Sequence, residues 1–107
     1  MSCLLLIALI AVDFAGTWSG KVITDKEQSV SMTLSQDGNK ITGTFGGVGQ
    51  AQWAITKAAV DGEMLTVEAE PGSIFRFALK IDGDKLIGDA FKDERRIGTV
   101  IFERVKQ

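Results

Sequence analysis

From Gly16 onward, apolar and polar residues alternate with a period of two. The stretch SVSMTLS, residues 29 to 35, sets Val30, Met32 and Leu34 against Ser29, Ser31, Thr33 and Ser35. KITGTF sets Ile41, Gly43 and Phe45 against Lys40, Thr42 and Thr44, and FRFALKI sets Phe75, Phe77, Leu79 and Ile81 against Arg76, Ala78 and Lys80. Successive side chains on a strand point to opposite faces, so this pattern predicts half-buried antiparallel strands. Asp-Gly pairs at 37-38, 61-62 and 82-83 separate alternating runs, and each predicts a tight hairpin tip, where positive φ is needed. The predicted strands are 16-24, 27-36, 39-46, 52-60, 63-70, 73-81, 84-91 and 95-105. The expected fold is all-β: an eight-stranded antiparallel up-and-down meander. A long meander with one apolar face avoids exposed edges by closing into a barrel. At eight strands the interior is either filled by side chains or holds one small ligand.

The phrases around the turns carry a resemblance. GTWSG (16 to 20) opens the first strand, QDGNKITGT (36 to 44) and VDGEML (60 to 65) form hairpins, and GTVIFERV (98 to 105) closes the chain. Gly-x-Trp on the first strand of a meander resembles the start of lipocalins, and Gly-Thr-Trp resembles the avidin group. The whole set resembles the small lipocalin-like β-barrel domains of bacterial extracytoplasmic proteins, over about residues 13 to 107. The resemblance implies a calycin-type barrel and an extracytoplasmic setting.

Ahead of that body runs MSCLLLIALIAV, residues 1 to 12, in which Leu4 to Val12 are all apolar. Such a run has the length of a signal-peptide core and is too short to span a bilayer as a helix. No Lys or Arg precedes it, so it reads as a signal-peptide remnant, with an apolar strand or short helix packed on the domain as the alternative. The first reading places the mature domain, 13 to 107, in the periplasm or outside the cell, with no membrane span.

Composition narrows the chemistry. The 107-residue chain suits one domain and, at 45% hydrophobic residues, can build a core. Its net charge of −2 and lack of a basic run argue against nucleic acid as a partner. There is no histidine and a single cysteine, Cys3, which removes the usual near-neutral acid-base, the Ser-His and Cys-His pairs, and any zinc site of Cys and His. The expectation is a non-catalytic protein without metal or cofactor.

Three groups of residues stand out. Gly16, Trp18 and Arg104 are expected at the closure of the barrel: Trp18 lies between glycines on the first strand, and Arg104, on the strand that must pair with it, can stack on the indole. Phe45, Trp53, Phe75 and Phe77 fall on the inward face, where they either fill the core or line a mouth suited to a small apolar ligand. Ile87, Phe91, Ile97 and Ile101 have outward parity on the last two strands. An apolar band there requires cover by the leader, a second copy or a larger protein partner. The functional expectation is a binding or accessory module, with a purely structural interaction domain of filled core as the alternative.

Overall fold

The computed structural model describes residues 12 to 106. Among them there is no helix; nine strands form one antiparallel sheet. In chain order they are β1 (Gly16–Ile23), β2 (Glu27–Asp37), β3 (Lys40–Gly47), β4 (Trp53–Ala54), β5 (Lys57–Asp61), β6 (Met64–Ala69), β7 (Phe75–Asp82), β8 (Lys85–Lys92) and β9 (Arg95–Arg104). Their order across the sheet is β4-β3-β2-β1-β9-β8-β7-β6-β5. Apart from the β1–β9 pair, every neighbour in the sheet is a neighbour in sequence, as an up-and-down meander requires. The sheet curls into a half-barrel around the apolar side of its strands. It is not the closed eight-stranded barrel expected from the sequence.

The difference lies in residues 52 to 60, expected as one strand. At Ile55 the backbone N–H still donates to Gly43 O of β3 (2.8 Å), but Thr56 N–H donates to Glu68 O of β6 (2.8 Å). The chain changes partner between two successive residues, so one strand becomes two short ones. These form the two edges of the sheet, and no ladder joins β3 to β5, although the two approach each other.

The alternation places the core. Trp18, Met32, Leu65, Val67, Leu79, Leu86, Val100 and Phe102 are fully buried, and Val30, Leu34, Ile41, Phe45 and Phe77 nearly so. The curl is tight. A Cβ built on inward-facing Gly20 would lie 1.9 Å from the Ile101 carbonyl oxygen, and one on Gly88 would lie 1.8 Å from that of Ala78. Only glycine permits neighbouring strands to coil this closely.

Each Asp-Gly pair lies at a two-residue hairpin tip. The pairs Asp37↔Lys40, Asp61↔Met64 and Asp82↔Lys85 close the ladders, and Gly38, Gly62 and Gly83 take φ of 65°, 61° and 63° at the first central position. The aspartates themselves end the strands. Glycine alone supplies the left-handed residue, the arrangement of a II′ turn. A fourth tight hairpin was not legible as such: Asp93 (φ 51°) and Glu94 (φ 68°) are both left-handed, as in a I′ turn, without a glycine. Asp93 is tied to the preceding loop. Its Oδ1 accepts from Ile74 N–H (2.9 Å), and its own N–H donates to Ile74 O (2.8 Å).

Candidate functional site

The two ends of the half-barrel are built differently. At the floor, Trp18 pairs directly with Arg104 across β1 and β9. The guanidinium carbon sits 4.3 Å from the centre of the indole, which is fully buried. Arg104 also donates to Ala15 O and Asp13 O (2.9 Å to the latter) and pairs with Asp84 through Nε (3.3 Å). Gly16, at φ 128°, leaves room for this head group, since a Cβ there would come 3.3 Å from Nη1. The three residues expected at the closure are therefore brought together.

Beneath the indole lies a residue missed in the sequence. Phe14 is fully buried, and its carbonyl accepts from Trp18 Nε1 (3.0 Å). Gln36 holds this stretch from the side, donating to Val12 O (3.0 Å) and accepting from Phe14 N–H (2.7 Å). Val12 packs on the core as well, so the body reaches back to the last residue assigned to the leader. Residues 1 to 11, and with them the signal-peptide reading, lie outside the described residues.

At the opposite end, Phe45, Trp53, Phe75 and Phe77 converge. Phe45 and Trp53 are cross-strand partners on β3 and β4, with rings edge to face at 6.4 Å. Trp53 stacks on Phe75 of β7 (5.6 Å, 13° between planes), and Phe45 meets Phe77 at 4.7 Å. The Trp53–Phe75 stack thus spans the hollow, linking one edge of the sheet to its other half by side chains. Both rings are half-exposed, whereas Phe45 and Phe77 are buried.

These four rings enclose, with Val22, Val30, Gly47, Ala90 and Ile97, a cavity of about 130 Å³. Ligand pockets for drug-sized molecules run from about 300 Å³, but an apolar cavity of about 150 Å³ accepts a benzene ring. The scale here is that of a single ring. The lip is polar: the Gln50 and Gln28 amides lie 2.8 and 3.1 Å from where a Cβ on Gly47 would stand. The Lys92 ammonium lies 5.8 Å from the Phe75 ring centre. Gln28 and Gly47 had no periodic signal of their own; they matter only because the strand ends meet here.

The outward band is altered. Ala90 pairs with Gly98 but Phe91 pairs with Arg96, so Ile97 is the extra residue of a β-bulge. A bulge breaks the two-residue alternation, and Ile97 turns onto the core and lines the cavity instead of the outer face. Ile87 and Ile101 remain outward as a direct cross-strand pair, with Lys80 and Lys21 as their other neighbours. Phe91 is capped by the Arg76 guanidinium at 4.3 Å.

The structure defines an all-β, antiparallel meander curled around an aromatic-mouthed core. Comparison with known proteins gives no matching family, no curated relative and no similar solved structure.

Proposed function

We propose that the chain is a non-catalytic, lipocalin-like binding or accessory module, acting outside the cytoplasm, that takes one small planar apolar group at the aromatic mouth. The observation carrying this reading is the convergence of Phe45, Trp53, Phe75 and Phe77 on a cavity of about 130 Å³ whose outer rings are half-exposed. Aromatic faces offer apolar area and defined stacking geometry, and the Gln28 and Gln50 amides at the lip give orientation to a polar substituent. The absence of histidine from the sequence supports a binding role over acid-base catalysis.

Toluene titration, followed by the indole N–H resonances of the two tryptophans, tests this. The Trp53 signal should shift saturably while that of Trp18, sealed in the floor, stays still. Gly47→Val should abolish the shift: position 47 faces inward, and its nearest neighbours are the movable ends of Gln50 and Gln28. A non-saturable response, or one unchanged by the valine, would reject the pocket. The second reading, a structural domain that associates through its C-terminal strands, draws on the outward Ile87–Ile101 pair. It predicts a dimer in sedimentation that Ile101→Lys dissociates.

A further inference from the structure

The inward rows of the strands run past the aromatic mouth and end in polar and charged groups. On β8, Ala90 lines the cavity and Lys92 follows it on the same face. Lys92 is also the cross-strand partner of Phe75, and its ammonium lies 5.8 Å from the centre of that ring. On its other side Lys92 pairs with Arg95, so the β8–β9 hairpin brings a second cation to the inward face. On β2 the inward row ends at Gln28, the partner of Val22, and its side-chain amide borders the cavity.

The carboxylates at this end are engaged elsewhere. Asp25 accepts from Thr24 Oγ1 (3.0 Å), Glu27 pairs with Lys21 (3.4 Å), and Glu70 accepts from Thr56 Oγ1 (3.4 Å). Asp93 accepts from Ile74 N–H, and Glu94 borders a depression on the outer face with Glu68 and Arg76. Lys92 and Arg95 form no ion pair among the described residues. The mouth therefore sets two cations and an amide above an aromatic pocket, and no carboxylate shares their face.

We propose, resting on the ring-binding reading of the mouth, that the ligand is an aromatic carboxylate. Its ring enters the cavity, and its carboxylate stays at the lip beside Lys92 and Arg95. The interior specifies the ring, since Phe45, Phe77 and Ala90 offer no polar side-chain atom and a charge buried among them would have no partner. The lip specifies the sign of the charge. Lys92 and Arg95 are both exposed, so each supplies a modest attraction that salt screens. Their effect falls on the choice of ligand more than on the strength of binding, because a cationic ring compound meets the same two groups as repulsion.

The test follows the Trp53 indole N–H signal of the full chain with toluene, benzamide, benzoate and benzylammonium. Benzamide matches benzoate in shape but lacks its charge. Benzoate should bind about fivefold more tightly than benzamide, and benzylammonium about fivefold more weakly. Both differences should fade in about 0.5 M salt. Lys92→Met keeps the apolar stem against Phe75 and should lower the benzoate-to-benzamide ratio to about two; adding Arg95→Met should bring it to about one. Gly47→Val should abolish every shift. Saturable toluene with benzoate no tighter than benzamide would overturn the carboxylate assignment alone and leave the ring-binding reading standing. A preference unchanged in the double variant, or a benzoate shift that survives Gly47→Val, would do the same. A toluene response that does not saturate would reject the ring-binding reading and the carboxylate assignment with it.

Discussion

Replacing Arg104 by methionine removes a guanidinium that serves several partners at once while keeping most of its apolar stem. Two bonds go to the Ala15 and Asp13 carbonyls, one pairs with Asp84, and the flat face covers Trp18. The Arg104 side chain is 25% exposed, so each carbonyl bond is discounted to about 1 kcal/mol from the usual range for charged donors. The stacking on a buried indole adds ~1 kcal/mol. Asp84 is 68% exposed, and its pair contributes at most about 0.5 kcal/mol. The expected loss is about 3 kcal/mol, against the 5–15 kcal/mol that holds a typical domain together (roughly). Urea denaturation followed by tryptophan fluorescence should show a lower midpoint with an unchanged slope, since the surface exposed on unfolding is the same. Arg104→Lys keeps a cation near the indole but cannot reach both carbonyls in a fork, so it should recover about half. A loss below about 1 kcal/mol for the methionine variant would show that the floor is held by burial of Phe14 and Trp18 alone.

Glu94→Gly should stabilise the protein by about 0.5–1 kcal/mol: a left-handed glutamate costs ~1–2 kcal/mol, and the greater freedom of glycine in the unfolded chain returns part of that. Thermal melting checks it, and a lower melting temperature would contradict the turn assignment. Gly88→Ala should cost more than about 3 kcal/mol or prevent folding, because its Cβ would stand 1.8 Å from the Ala78 oxygen and the clashing atom is backbone. Soluble expression with a melting point near that of the parent would mean that the coil of β7 and β8 is looser than described.

The strand sequence of the fold was legible because one rule, period two, runs through it almost without interruption. Where the rule breaks, the expectation failed. Thr56 is an ordinary polar residue in a polar-apolar run, and nothing local says that its N–H will turn to β6. That choice depends on how far the sheet has curled, which is a property of all the strands. Ile97 failed for a similar reason: the extra residue of a bulge is defined by the register of β8 against β9, and each strand alone reads as regular. Asp93–Glu94 lacked the glycine that marks tight hairpins, and its support comes from Ile74, nineteen residues earlier. The floor was more accessible, since Trp18 and Arg104 are on the first and last strands, whose pairing was expected from bringing the two ends of the meander together. Phe14 lay two residues ahead of the alternating body, which starts at Gly16, and carried no periodic signal.

The cavity at the mouth has a cause in the same alternation that fills the rest of the interior. Midway along the hollow the inward positions carry Met32, Leu34, Leu65, Leu79, Leu86 and Phe102, all buried. Toward the mouth the inward row continues with Gly47 beyond Phe45 on β3, and with Ala90 beyond Leu86 and Gly88 on β8. Unlike Gly20 and Gly88, where neighbouring backbone closes in, these two small residues leave space, and the rings of Trp53 and Phe75 close over it without filling it. Its depth is limited by Phe77, which meets Phe102 of the inner layer at 5.8 Å. A dense interior is the usual outcome in a narrow β-hollow. An apolar void costs stability in proportion to its volume. At this end that cost falls beneath an aromatic stack that solvent can reach and beside two amides, where an apolar ring could recover it on binding.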